Sequence, residues 1–176
     1  MNESTIVTII GTVAIIVVSL VFVYFYFMSL REEIREYWFL VLIKLRIRLD
    51  KIPNLIETLR TSTEGQDALI NELVSARAET WPIRKAGKDR VHAELGISNK
   101  LHEVWKVGKQ FEDLKKNTNY LALKMEFKEI GKEIEEMGAI YNNKVRNFNK
   151  IVGIVGLKQL LGLMRFKKLP IFEFEP

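Results

Sequence analysis

From Ser4 to Leu30 the chain carries no charged residue, and "IVTIIGTVAIIVVSLVFVYFYFM" is almost wholly apolar. About 20 consecutive apolar residues cross a hydrocarbon core of about 30 Å. The run therefore predicts a transmembrane helix through residues 5–30. It is longer than the apolar region of a secretory signal, which is about 7–15 residues, and no Ala-x-Ala site follows it, so it reads as a retained anchor. Tyr24 and Tyr26 near its end suit an interfacial aromatic belt.

Beyond the anchor the pattern switches to a helical period, with no sustained alternation of period two. Ile34, Trp38, Val41, Leu45, Leu49, Ile52, Ile56 and Leu59 form one stripe, so the first helix is expected to continue out of the membrane into the domain. "STEGQ" (62–66) reads as a turn. Leu69, Leu73 and Ala76 open a second helix, which Trp81-Pro82 should end near Thr80, because a residue before proline disfavours helical geometry. "IRKAGKDR" (83–90) reads as a polar loop, and Leu101, Val104, Trp105, Gly108 and Phe111 mark a third helix. The fourth is the strongest: Tyr120, Leu123, Phe127, Ile130, Ile134, Met137, Tyr141, Val145 and Phe148 step by threes and fours. Asn117 or Thr118 can cap it, and Gly131 and Gly138 inside it point to close packing.

Proline interrupts the first stripe. In "RLDKIPNLIETLR" (48–60) Pro53 removes a backbone donor and crowds the preceding turn, at about 3 kcal/mol in a helix interior. Either neighbouring helices hold a kink there, with Asn54 bonding a freed carbonyl, or Pro53 begins a fresh helix at its first turn.

The last segment, "IVGIVGLKQLLGLMRFKK" (151–168), is apolar but glycine-interrupted, neither a second span nor a clean amphipathic stripe. No acidic residue lies between Met137 and Phe172, whereas Lys144, Arg146, Lys150, Lys158, Arg165, Lys167 and Lys168 are all basic. Such a segment can lie on anionic lipid headgroups, or it can close the base of the domain, and the two are compatible. The chain as a whole has net charge +5. Lys and Arg begin only after the span, at Arg31, Arg35, Lys44, Arg46 and Arg48, which predicts a short outer N-terminus and a cytoplasmic domain at the inner membrane.

A search for chemistry finds little. There is no cysteine, hence no disulfide or thiolate. "HEVWK" (102–106) has Lys106 where a zinc motif needs its second histidine. "HAE" (92–94) lacks the cysteines of a deaminase. "DRVH" (89–92) supplies one carboxylate–histidine pair where a di-iron bundle needs two. His92 and His102, ten residues apart, read as surface or loop histidines. No phosphate-binding glycine loop or nucleophile elbow occurs, "KEIGKEIEE" reads as a solvated helix face, and no nucleic-acid reader motif appears. No cofactor, metal or nucleic-acid partner is expected.

In combination, four blocks resemble the LemA family. "RLDKIPNLIETLR" resembles the family's basic stretch leading into Ile-Pro-Asn-Leu, with Trp38 fifteen positions before Pro53 and "ARA" (76–78) following. "NTNYLALKMEF" (117–127) and "IYNNKVRNFN" (140–149) resemble its Asn-x-Asn-Phe-Leu-x-Leu and Tyr-Asn-x-x-Val-x-x-Tyr-Asn blocks, and "FKKLPIFEF" (166–174) its ending. The signature residues are then Trp38, Arg48, Pro53, Asn54, Asn119, Tyr141 and Asn142. The resemblance implies a membrane anchor and an antiparallel four-helix bundle, often in bacteria, with no established activity for the family as a class. Some relatives act in magnetosome membrane formation, and others are encoded near membrane proteases. This chain departs from the family at Phe39, Leu40 and Leu42, where polar residues are usual, at Ile47, where arginine is usual, and at Gly131 and Gly138, where the family has Glu and Arg.

The expected fold is all-α: a transmembrane helix (1–30), an antiparallel up-and-down four-helix bundle with coiled-coil-like packing (31–150) and an apolar basic tail (151–176). The expected function is a non-enzymatic scaffold or adaptor. It would hold the bilayer through residues 5–30 and anionic headgroups through the tail. It would meet a second copy, another membrane protein or lipid through Phe39, Leu40 and Ile43, because "YWFLVLI" (37–43) is apolar on every side of its helix. The alternatives are a magnetosome-type membrane biogenesis protein, or a bundle with an unrecognised catalytic or metal site. The latter would show polar residues at matched heights in the core, where the sequence places apolar ones.

Overall fold

The computed structural model describes residues 2–62 and 65–174, and the side chains within that range except 155–157. All regular structure among the described residues is helical: α1 (Glu3–Ser62), α2 (Asp67–Thr80), α3 (Lys88–Gly108), α4 (Glu112–Lys116), α5 (Thr118–Val152) and α6 (Val155–Leu163). The expected continuity of anchor and first domain helix is observed as the 60-residue α1. Pro53 lies inside it, so it does not begin a new helix. Of the expected turn at 62–66, residues 63 and 64 lie outside the described residues. Gly65 there has φ 73°, a left-handed conformation that glycine adopts without steric cost.

The chain forms two compact units. One comprises Met1–Glu36 and Asn147–Leu169, the other Tyr37–Arg146 and Pro170–Pro176. In the first unit, the aromatic end of the apolar stretch of α1 packs on the returning chain: Phe27 meets Phe148 at 5.9 Å and Phe166 at 5.5 Å, and Tyr24 meets Phe166 at 5.7 Å. The end of α5 thus lies beside the end of that apolar stretch. Asn149 holds the chain after α6 by donating to the Leu169 carbonyl and accepting from its N–H.

In the second unit, α1, α2, α3, α4 and α5 share one core that includes Leu49, Ile52, Leu73, Ile97, Val104, Leu114 and Phe127. Helix α1 runs antiparallel to α5: Lys44 pairs with Glu133 (2.9 Å), Lys51 with Glu126 (2.8 Å), and Thr58 accepts from Asn119 (2.8 Å). Helices α2 and α3 pack on each other, tied by Lys100–Glu72 at 2.6 Å. Asn117 caps α5, its side-chain oxygen accepting the Tyr120 N–H at 3.0 Å.

Three readings need correction. The 83–90 stretch is only partly a loop, because α3 starts at Lys88 and Arg90 is buried. Trp81 keeps helical angles (φ −54°, ψ −43°) although α2 does end at Thr80; its N–H still bonds the Arg77 carbonyl, and the break falls at Pro82. Helix α3 ends at Gly108, leaving Phe111 to begin the short α4. Gly108 sits under the Tyr120 hydroxyl, where a methyl group would collide.

Candidate functional site

Arg48 falls on the buried stripe of α1, three residues after Leu45 and four before Ile52, so helix geometry turns its side chain inward. It pairs with Glu94 of α3 and donates to the Ser98 hydroxyl at 3.1 Å. Arg90, one turn before Glu94, pairs with the same carboxylate and donates to the carbonyls of Thr80 (3.3 Å) and Ile83. All three charged side chains are at most 2% exposed. Two guanidinium groups on one carboxylate leave this layer with an excess positive charge. Both Nε atoms lack a hydrogen-bond partner among the described residues. Burial lowers the pKa of each arginine, and Glu94 opposes the shift. The core is therefore not apolar throughout, contrary to the sequence expectation. The layer ties α1, α3 and the α2–α3 connection together. Its one carboxylate is engaged by two cations, so it is no free general base, and no set of three or more His, Cys, Asp or Glu among the described residues is placed to hold a metal.

A second polar contact explains Pro53. With no N–H at Pro53, the carbonyl four residues earlier, at Leu49, loses its helical donor. The Arg77 Nε of α2 donates to that carbonyl at 2.9 Å. Asn54, expected in this role, is exposed instead, and its own carbonyl accepts the Thr58 hydroxyl at 2.8 Å. Arg77 and Arg46 both lie over the Trp81 ring, at 5.0 and 4.6 Å.

The third arrangement holds the C-terminal segment extended within the second unit. Asn142 donates to the Phe172 carbonyl (2.6 Å) and accepts from its N–H (2.8 Å). Tyr141 donates to the Pro170 carbonyl at 2.8 Å, and burial pushes its pKa up to about 12. Trp38 stacks near Tyr141 (5.4 Å) and Phe172 (5.3 Å) and donates to the Arg84 carbonyl. A methyl group at Gly138 would meet the Phe172 ring at an ordinary van der Waals distance of 3.5 Å, so the packing there does not require the glycine that the sequence suggested. Phe174 covers the Arg48 guanidinium at 4.8 Å.

The signature residues thus fall into groups. Trp38, Tyr141 and Asn142 meet at the C-terminal segment, Arg48 holds the polar layer, and Asn119 bonds Thr58 near the far end of α1, while Pro53 and Asn54 are exposed. Phe39, Leu40 and Ile43 are 60%, 44% and 37% exposed. Of the basic candidates, Arg146, Lys150, Lys158, Arg165, Lys167 and Lys168 are exposed, while Lys144 lies over the Tyr37 ring at 4.6 Å. His92 and His102 are both on the exposed side of α3. Sequence reasoning missed Arg77, Arg90 and Glu94. The signal for the last two was their four-residue spacing, opposite a basic residue that the α1 stripe directs inward.

Comparison with known families gives one match, the model described as "LemA family", over residues 37–176. No curated protein matches the chain.

Proposed function

The chain belongs to the LemA family, and we propose that it is a membrane-anchored, non-enzymatic scaffold that gathers protein partners at the cytoplasmic face of a bacterial inner membrane. The observation that carries this reading is the apolar stripe Phe39, Leu40, Ile43 and Ile47, exposed on α1 opposite its buried face. The charged segment 31–36 separates the stripe from the uncharged run in the sequence, which favours an apolar helix of another membrane protein or of a second copy over lipid tails as its cover.

Among the described residues, α1 is the one helix long and apolar enough to span a bilayer, and the Lys and Arg that follow its apolar stretch favour a cytoplasmic domain. The pairs 44/133, 51/126 and 58/119 step by seven residues, which supports an up-and-down four-helix bundle of α1, α2, α3 and α5 with coiled-coil-like packing. In the first unit, the contacts of Phe27 with Phe148 and Phe166 bring the basic residues 150–168 beside the end of the span. There Lys150, Lys158, Arg165, Lys167 and Lys168 would meet anionic headgroups, each contributing about 1 kcal/mol at low salt. A role in shaping membrane, as in magnetosome formation, is the second reading and rests on this tail.

The test replaces Phe39, Leu40 and Ile43 together by glutamine in the full chain. Thermal stability of the domain should change little, because none of the three is buried, while cross-linked species and assembly size in mild detergent should be lost. Unchanged cross-linking and assembly size would sink the scaffold reading.

A further inference from the structure

A cavity of about 380 Å³ lies between α3 and α5 in the second unit, with Arg48 of α1 in its wall. Its apolar lining comes from Leu101, Trp105, Phe127 and the buried Gly131. Its charged lining is all of one sign. Lys124, Lys128 and Lys132 line it at successive turns of α5, with His102 of α3 also on the wall. Of the neighbouring carboxylates Glu126, Glu129 and Glu133, none lines the cavity, and Glu126 is held by Lys51 and Glu133 by Lys44, both on α1. The three lysines are left without an ion pair among the described residues. Behind them, Arg48 belongs to the layer in which two guanidinium groups share one carboxylate, and its Nε has no acceptor among the described residues. The volume is within the range of small-molecule sites, which is about 300–1,000 Å³.

We propose that this cavity binds an organic anion, with its apolar body against Trp105, Phe127 and Leu101 and its carboxylate or phosphate head held by Lys124, Lys128 and Lys132. A water-soluble metabolite and a single-chain lipid share this chemistry. A cationic or neutral molecule of the same shape would leave the lysine row uncompensated, and a bare inorganic anion would leave the apolar wall wet.

The full chain in nanodiscs of neutral lipid is titrated calorimetrically with 2-naphthoate and 2-naphthyl phosphate. Saturable one-site binding is expected, weakened by salt. Neutral 2-naphthalenemethanol, the corresponding ammonium compound and inorganic phosphate should each bind about ten-fold more weakly or worse. The combined change Lys124→Gln, Lys128→Gln, Lys132→Gln should cost about ten-fold or more in affinity. Gly131→Leu should abolish binding by filling the cavity, with a thermal melt checking that the domain remains folded. His102→Glu, at an exposed position, should weaken binding whether or not the leucine variant folds. Competition by oleate incorporated in the nanodisc would identify the bilayer as the source of the ligand, and absence of competition a soluble one; both keep the site. Equal affinity for the neutral compound or for inorganic phosphate would overturn the proposal. So would naphthoate binding that is unaffected by both the glutamine and the His102→Glu variants.

Discussion

The two halves of α1 satisfy their polar groups in different ways. In the uncharged stretch from Ser4 to Leu30, the side-chain hydroxyls bond within the helix itself: Thr8, Thr12 and Ser19 each donate to the carbonyl four residues earlier, at 2.8 Å. That is what a helix in hydrocarbon requires, because nothing outside it can serve as a partner. None of the apolar window's residues is buried by the chain. From Tyr37 onward Thr58 and Thr61 still bond back within the helix, but the charged groups and a freed carbonyl reach across to other elements. Lys44 and Lys51 go to α5, Arg48 to α3, and the Leu49 carbonyl to α2. The first half is self-sufficient, and the second is specified by partners far along the chain. Removing one polar partner should therefore matter little in the first half and a great deal in the second.

The sharpest contrast is between Glu94→Gln and Thr8→Ala. Loss of the Glu94 charge leaves two buried guanidinium groups with no counter-charge, and breaking a buried ion pair in this way costs about 3–5 kcal/mol. Thr8→Ala removes one locally satisfied hydroxyl. Urea unfolding of the domain, followed by circular dichroism on the full chain in nanodiscs, should show a large fall in midpoint for the first variant and none for the second. Equal midpoints would break the comparison.

Next in size is Gly108→Ala. The added methyl group would land on the Tyr120 hydroxyl, which is buried and has no hydrogen-bond partner among the described residues. Overpacking of this kind costs about 1–3 kcal/mol. Tyr120→Phe alone should be neutral or stabilising, because it removes an unsatisfied buried hydroxyl. In the Tyr120→Phe background the alanine should cost much less. A double-mutant cycle by thermal unfolding reads the coupling, and simple additivity would show that the clash lies elsewhere.

What the sequence made legible follows the same division. Periodicity reports which face of a helix is buried, so the stripes from Val41 to Leu59 and from Tyr120 to Phe148 were readable, as were the Asn117 cap and the long apolar N-terminal helix. It does not report which polar residue waits on the facing helix. Arg90 read as loop and Glu94 only as part of an incomplete motif, because a four-residue charge pair looks the same whether solvated or buried. Arg48 was visible as a signature residue, yet its burial follows only from its phase within the apolar stripe. The extended C-terminal segment was unreadable because Asn142 and Asn149 hold it from α5, not its own periodicity.

Arg77 is the finest case, and its effect is the smallest. Its contact with the Leu49 carbonyl matters only because Pro53 cannot supply the donor. Arg77→Met keeps most of the side chain's apolar stem but leaves the carbonyl without its charged donor, at about 1–3 kcal/mol for a buried unsatisfied group. Pro53→Ala restores an N–H at the position that should bond Leu49 within the helix. In that background the same Arg77→Met change should cost distinctly less, since the carbonyl has a local partner again. The Arg77 ring contact with Trp81 is common to both backgrounds and cancels in the cycle. A coupling of about 1 kcal/mol in thermal or urea unfolding would show that the proline and the arginine act as one unit. A coupling near zero would mean that Arg77 stabilises the domain through Trp81 alone, and that the helix tolerates Pro53 without help.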